Sequence, residues 1–207
     1  MQRPNVDSPK ALSRVTELMS GFAPTWALCG GWAVDAWLGR ESRDHVDVDI
    51  AVFDDDQGAI LNHMAVGWSL IGHDDTVADD SEESWDGRQL FLPAHIHARA
   101  QDGFELEFHL NERRNGTWVF SRQPGVSMPL HECVRQSSWG ISTVVPEVIL
   151  YYKALPPGWR GSRPELRPHD HSDFSMLLPV LSNSQREWIR HAISQIDPEH
   201  SWLAQLA

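Results

Sequence analysis

The chain has 207 residues and carries 17 Lys and Arg against 29 Asp and Glu, and its net charge of −12 opposes nucleic-acid binding, which depends on cations that neutralise phosphates. A hydrophobic fraction of 41% with 10 Trp residues predicts a folded core and excludes global disorder. The sequence has no long apolar stretch, no signal peptide and only two cysteines, so we expect a soluble cytoplasmic protein without membrane contact, disulfide framework or four-ligand zinc site.

The first part of the sequence predicts a mixture of helices and strands. Apolar residues three and four apart indicate helices, and alternation of apolar and polar residues indicates strands. Ser8, before Pro9, is typical of a helix N-cap. In chain order the predicted elements are a helix over 9–20, a strand over 25–28, a helix over 32–38 that Gly39 ends, a strand over 46–53, a helix over 56–65 after three aspartates, a strand over 68–71, a hairpin of strands 90–99 and 104–110 with its turn at 101–103, and a strand over 117–121.

The last part of the sequence is helical. Pro146 begins a helical run that extends to Lys153, and a Pro-Pro-Gly break follows at 156–158. Further helices are predicted over 169–178, 184–195 and 198–206. Because strands and helices mix first and helices then follow alone, the sequence predicts an α+β fold, with a first unit over 1–140 and a helical C-terminal lobe over 141–207.

Asp47 and Asp49 are the first candidates for chemistry. They are two residues apart on one predicted strand, so both carboxylates leave the same face. Two like charges this close are unfavourable unless water or a cation lies between them. Oxygen ligands suit Mg²⁺, and the apolar residues at 50–52 favour a central strand, so the pair is a candidate magnesium site. The alternative is an edge strand with a solvated polar face.

A Gly-Gly pair precedes this strand. Gly30 and Gly31 lie between a predicted strand and a predicted helix. Glycines there allow backbone N–H groups to approach a phosphate, and the helix N-terminus adds partial positive charge. A plain tight turn is the alternative interpretation, but a Gly-Gly turn followed by an Asp-x-Asp strand is a more specific signal.

A third acid is expected from the strand predicted over 104–110. Its apolar residues share one face, and Glu105, Glu107 and His109 share the other. Either glutamate is a candidate to join the aspartate pair. A half-exposed strand with a solvated polar face is the alternative.

Four segments of the sequence follow the motifs of one known family. The most specific is C-G-G-W-A-V-D-A over 29–36, with L-G-R at 38–40 and D-V-D-I-A-V over 47–52. The others are L-E-F-H over 106–109, P-E-V-I-L-Y-Y-K-A over 146–154 and R-P-H-D-H-S-D-F over 167–174. In these segments the chain resembles the antibiotic nucleotidyltransferases, above all the aminoglycoside 2″-adenylyltransferases and lincosamide nucleotidyltransferases, of the DNA polymerase β-type superfamily.

The resemblance implies a fold and a reaction. The fold is a nucleotidyltransferase domain over 1–140, a mixed sheet flanked by helices, with the helical lobe after it. The reaction transfers a nucleoside monophosphate, AMP from ATP, to a hydroxyl of a small cationic acceptor such as an aminoglycoside or lincosamide, and releases pyrophosphate. ATP or another NTP is then the co-substrate, and Mg²⁺ is the cofactor.

The resemblance also implies site residues. The implied catalytic and metal-binding residues are Asp47, Asp49 and Glu107. The implied nucleotide-binding residues are Gly30, Gly31, Arg43 and Lys153. Arg40 and His45 are further candidates for phosphate contacts, although an ordinary salt bridge explains them and Arg43 equally well.

The sequence departs from the family pattern at three positions. Val46 stands where members often have an acid, Glu107 where many have Asp, and His169 where they have Lys. Two other functions therefore stay open: a toxin–antitoxin-type nucleotidyltransferase that acts on tRNA or protein, and an inactive nucleotide-binding relative. The net charge opposes the first of these, and the intact acids oppose the second.

Two other features give weaker signals. His95 and His97 have the spacing of same-face neighbours on a strand, and without a third partner they are expected to be ordinary surface or core histidines. The acidic segment 74–86 is expected to be a solvated loop, and it could also attract a polycationic acceptor.

Overall fold

The computed structural model describes residues 8–74, 84–120, 123, 125–155 and 166–207. The helices in these ranges are α1 (Lys10–Met19), α2 (Gly30–Leu38), α3 (Gln57–His63), α4 (Leu130–Cys133), α5 (Pro146–Ala154), α6 (Pro168–Leu177) and α7 (Asn183–Ser194). The strands are β1 (Ala27–Leu28), β2 (Val48–Phe53), β3 (Trp68–Asp74), β4 (Ala94–Ala100), β5 (Glu105–Arg114), β6 (Thr117–Val119), β7 (Ser127–Pro129), β8 (Val134–Gln136) and β9 (Ser142–Val144). None of the described helices has the length and apolar character needed to cross a membrane.

The strands form one mixed sheet. Its main path runs β3-β4-β5-β2-β1-β9-β8, and β6 and β7 extend it from β5. β2 pairs in parallel with β5, and β1 pairs in parallel with β9, whereas the other pairs are antiparallel. β2 is therefore an interior strand with a neighbour on each side, as its apolar composition predicted.

Two apolar helices hold the sheet to the C-terminal helices. α2 and α5 contact each other, and both bury most of their side chains, which is expected of helices that are apolar on several faces. α5 also contacts α6 and α7. The N-terminus of α2, where Gly30 and Gly31 lie, follows β1 directly and so faces the middle of the sheet.

Most of the predicted elements are confirmed, with ends that shift by a few residues, and the α+β class is confirmed. Gly39 ends α2 in the left-handed conformation at φ 69°. The predicted hairpin is β4 and β5. Four short elements escaped prediction because three or four residues are too few to show a periodicity, and they are β7, α4, β8 and β9. The division at residue 140 stays a prediction, and β9, which follows it, pairs with β1.

The helix predicted over 198–206 is wrong, because the structure has turns over these residues. Side chains there bond to the backbone in place of helical bonds: Asp197 Oδ1 accepts from the Glu199 N–H at 3.1 Å, and His200 Nδ1 accepts from the Trp202 N–H at 3.2 Å. Such local bonds compete with a helix. The apolar residues that suggested a helix still pack inward, and Trp202 is fully buried.

Three element starts also differ from prediction. Pro9 is the N-cap residue of α1, and Ser8 instead bonds through its hydroxyl to Ser13. β2 begins at Val48, so Asp47 precedes the strand. β4 begins at Ala94, because the backbone at Leu90 bonds to the side chain of buried Gln57. Of the predicted acidic loop, residues 75–83 lie outside the described residues, as does the break at 156–158.

Candidate active site

The candidate site lies where β2 and β5 run side by side. In this parallel pair Asp49 stands opposite Glu107 in register. Asp47 precedes β2 and is half-buried. Glu105 has no such position: its carboxylate accepts from Arg99 Nε at 2.7 Å across the β4–β5 pair. The structure thus brings Glu107, of the two candidate glutamates, to the strand that carries Asp49.

His109 connects the two carboxylates. Its Nε2 lies 2.9 Å from Asp49 Oδ1 and 3.6 Å from Glu107 Oε1. The ligand atoms of Asp49, Glu107 and His109 all lie within 4.8 Å of one another. Carboxylate oxygens this close together suit a hard divalent cation, so the donor chemistry fits Mg²⁺.

Gly30 makes room for the Asp49 carboxylate. Gly30 has φ 62°, and a Cβ atom built on it would lie 1.7 Å from Asp49 Oδ2. The N–H of Gly31, at the start of α2, donates a hydrogen bond to Asp49. Glycine is therefore needed here for its left-handed backbone and its missing side chain, and the helix N-terminus favours the carboxylate charge. A phosphate contact by Gly30 and Gly31 stays a prediction.

The pKa values of the three acids reflect their surroundings. Burial, followed by the charges of Asp49 and Glu107, raises the pKa of Asp47. Burial also opposes ionisation of Asp49, but the hydrogen bond and charge of His109 and the charge of Lys153 outweigh it and lower the pKa of Asp49. Glu107 likewise has a lowered pKa, because the hydrogen bond from His97 and the charge of His109 outweigh burial. Asp49 and Glu107 are therefore ionised at neutral pH.

Buried Asp35 of α2 fixes the segment that leads into β2. Its carboxylate accepts from the Ser42 backbone N–H at 3.0 Å and from the Ser42 hydroxyl, and it contacts His45 Nε2 at 2.8 Å. Burial raises the pKa of Asp35, but the hydrogen bonds from His45 and Ser42 more than reverse this and lower it. His45 lies against the Trp32 ring at 4.3 Å between centroids. These contacts place the residues before Asp47 and account for His45 without a phosphate contact.

Arg43 lies over the start of α2. A Cβ atom on Gly31 would fall 2.2 Å from its Nη2, so the guanidinium is close to the backbone of the Gly-Gly pair. The same Nη2 is 3.7 Å from a carboxylate oxygen of Asp173 on α6. This position is compatible with the predicted nucleotide contact, which stays a prediction.

Lys153 is buried in an ion cluster between α5 and α6. Its Nζ lies 3.1 Å from Asp170 Oδ1 and 2.7 Å from Asp173 Oδ2. Arg167 also binds Asp170, at 2.7 Å. The charge of Lys153 reaches Asp49, whose pKa it lowers. The structure therefore gives Lys153 a structural role, and its predicted contact with the nucleotide stays a prediction.

Three histidines lie beside the acids, and the sequence analysis singled out only two of them. His95 and His97 lie on β4 and point toward Glu107, with Nε2 atoms 3.6 and 3.5 Å from its carboxylate oxygens. His73, near the end of β3, completes the group. Sequence reasoning noted the His95–His97 pair but had no third partner, because the strand predicted over 68–71 ended before His73.

The fold and the site together define a class of protein. Asp49 and Glu107 lie side by side on two adjacent strands of a mixed sheet, and Asp49 faces the Gly-Gly pair that begins a helix. This is the arrangement of a nucleotidyltransferase, as the motifs implied. The sequence matches the family model described as aminoglycoside-2''-adenylyltransferase over residues 11–128. The chain belongs to this family of antibiotic-modifying enzymes.

Solved structures of similar fold agree with this assignment. One is the lincosamide antibiotic adenylyltransferase LnuA with lincomycin bound, at 19% identity and a TM-score of 0.57, covering 84% of this chain and 98% of that one. Another is ANT(2'')-Ia in complex with adenylyl-2''-tobramycin, at 15% identity and a TM-score of 0.58, covering 89% of this chain and 95% of that one. At these identities the likeness concerns the fold. A comparison with curated protein sequences finds no match.

Proposed function

We propose that this nucleotidyltransferase moves AMP from ATP to a hydroxyl group of a small cationic antibiotic in a Mg²⁺-dependent reaction. The observation that carries the proposal is the register of β2 and β5, which sets Asp49 opposite Glu107. Asp47 lies two residues before Asp49, and the charges of Asp49 and Glu107 raise its pKa. Because the reaction consumes ATP, we expect it to take place in the cytoplasm.

The residues of the site fit Mg²⁺. Asp47, Asp49 and Glu107 offer carboxylate oxygens. The charges of Asp49 and Glu107 raise the pKa of Asp47, and the charge of Asp49 opposes ionisation of Glu107. A divalent cation would relieve this repulsion. When bound, Mg²⁺ supplies positive charge that neutralises the triphosphate and stabilises the attacking and leaving oxygens.

The chain's own groups would bind and orient the substrates. The N-terminus of α2 offers backbone N–H groups for phosphate, and Arg43 adds a guanidinium beside it. Glu107 stays ionised, because its pKa is lowered, and can accept the proton of the acceptor hydroxyl. His109 contacts both Asp49 and Glu107 and so holds the two carboxylates in place.

Charge supports a cationic acceptor. The net charge of the chain is −12, and the candidate site itself presents carboxylates. A polycation is attracted to such a surface, and this attraction weakens with salt. ANT(2'')-Ia with adenylyl-2''-tobramycin and LnuA with lincomycin show two acceptor classes on this fold. We favour an aminoglycoside over a lincosamide because the matching family model is that of the aminoglycoside enzymes.

Pyrophosphate release tests the proposal. The protein is incubated with Mg²⁺, each NTP, and a panel of aminoglycosides, lincosamides and a tRNA pool, and products are identified by mass spectrometry. We expect ATP-dependent release with at least one aminoglycoside and a product heavier by one AMP. Asp49→Asn should abolish it, whereas the matched control Asp102→Asn, which changes an exposed aspartate paired with Arg14, should not. Transfer to tRNA with no antibiotic product would overturn the proposal.

A further inference from the structure

Three histidines on β3 and β4 form a compact group beside the acids. His73 pairs with His95 in register, and their rings stack at 4.8 Å between centroids. The His97 ring lies 4.7 Å from that of His73 and 4.9 Å from that of His95. One nitrogen of each of the three rings lies within 4.8 Å of the others.

We propose that His73, His95 and His97 bind a divalent transition-metal ion of the Zn²⁺ class. Imidazole nitrogen suits Zn²⁺ and its neighbours in the transition series, whereas Mg²⁺ prefers oxygen. Three histidines with a further oxygen ligand are a common donor set for zinc. The site differs in ligand chemistry from the carboxylate site, and it does not depend on the proposed transfer reaction.

The geometry needs only a small closure to hold the ion. Zinc binds imidazole nitrogen at about 2.0 Å, which puts tetrahedral ligands about 3.3 Å apart. The ligand nitrogens here are already within 4.8 Å, and side-chain rotations can bring them together. The backbones are held by the β3–β4 pairing, and the side chain of His97 is half-exposed, so an ion can reach the group from solvent.

Glu107 is placed to be the fourth ligand. Its two carboxylate oxygens lie 3.6 Å from His95 Nε2 and 3.5 Å from His97 Nε2, and its charge would offset that of the ion. Because Glu107 also stands opposite Asp49, the two metal sites share one carboxylate. Occupation of the histidine site would therefore draw Glu107 away from Asp49 and slow any reaction that needs both.

Metal titration tests the proposal on the untagged, metal-free protein. Zn²⁺ is titrated by calorimetry in excess Mg²⁺, and Co²⁺ is titrated by visible absorption. We expect one tight Zn²⁺ equivalent that Mg²⁺ does not displace, and the intense visible bands of tetrahedral Co²⁺. His97→Gln should weaken Zn²⁺ binding at least tenfold. The double variant His73→Gln/His97→Gln should abolish it. His131→Gln, an exposed histidine of α4, is the matched control and should leave binding unchanged.

The variants also distinguish this site from the carboxylate site. Asp47→Asn should leave the Zn²⁺ equivalent in place, because Asp47 is not among the proposed ligands. Zn²⁺ binding that survives the double histidine change, is displaced by Mg²⁺, or is lost equally in His131→Gln would overturn the proposal. Circular dichroism checks that each variant is folded. Should the double variant not fold, weak octahedral Co²⁺ bands in the unaltered protein would overturn the proposal by themselves.

Discussion

A Cβ atom on Gly30 would lie 1.7 Å from Oδ2 of Asp49. The glycine and the aspartate are 19 positions apart in the chain, yet a side chain on the glycine would displace the carboxylate of the aspartate. The start of α2 therefore packs against the carboxylate of Asp49 on β2. The Gly-Gly pair positions Asp49 whether or not it also binds a phosphate.

Gly30→Ala should cost both stability and activity. A left-handed backbone costs a residue with a side chain about 1–2 kcal/mol, and a displacement of the carboxylate by about 1 Å can lower the rate about a hundredfold. Gly116→Ala is the matched control, since Gly116 has φ 76° with nothing within 4 Å of its added Cβ. It should lose only the backbone contribution, and so less stability than Gly30→Ala, and it should keep full activity, as measured by chemical unfolding and pyrophosphate release. Equal activity loss in both variants would contradict the steric argument.

Glu107→Gln should abolish transfer, whereas Glu105→Gln should not. The two glutamates lie on the same face of β5, but only Glu107 stands opposite Asp49, and Glu105 binds Arg99. Loss of a general base lowers rates by about 10²–10⁴. Pyrophosphate release under saturating substrates measures both variants. The assignment of Glu107 would be wrong if Glu105→Gln were the inactive one.

Asp47→Asn should leave the metal-free protein as stable or make it more stable. Burial and the charges of Asp49 and Glu107 raise the pKa of Asp47, so its ionised form is unfavourable in the folded state at neutral pH. A gain of about 1 kcal/mol would raise the melting temperature by about 2–4 °C. The gain should fade as the pH falls through the raised pKa, because Asp47 is then protonated anyway. Thermal unfolding at several pH values measures this, and a clear loss of stability at neutral pH would refute it.

Asp35→Asn should destabilise the protein in a pH-dependent way. The folded state lowers the pKa of Asp35, so its contribution is fully present above the ordinary carboxyl pKa and is lost as the pH falls through the folded value. Hydrogen bonds to a charged group contribute about 1.5–3 kcal/mol. Chemical unfolding should show this deficit at pH 7 and a smaller one near pH 3. Asp44→Asn, at an exposed aspartate of the same segment, should show no deficit.

Lys153→Met should unfold the C-terminal helices more readily. It removes the shared cation of buried Asp170 and Asp173, which keep only Arg167 and the more distant Arg43, and breaking a buried ion pair costs up to about 3–5 kcal/mol. Lys10 is the only other lysine of the chain, and it is exposed. The control variant Lys10→Met should therefore change the free energy of unfolding little. Urea unfolding compares the two. A Lys153→Met protein of unchanged stability but lost activity would point to the phosphate contact alone.

Much of this protein follows from local sequence pattern. Alternation in β2 and β5 predicted both strands and the faces on which Asp49, Glu107 and His109 lie, because side chains of a strand alternate between its two faces. Apolar spacing predicted α1, and the run that Pro146 begins predicted α5. The motifs around Gly30 and Asp49 indicated the family that the comparison confirms.

Only the tertiary structure decided which side chains meet. The β2–β5 register sets Glu107, and not Glu105, opposite Asp49, because pairing between distant strands depends on the whole sheet and not on either strand alone. The same long-range pairing brought His73 to His95 and His97. The packing of α5 against α6 buries Lys153 beside Asp170 and Asp173. The local pattern around Lys153 could not predict these contacts, because both partners lie on another helix.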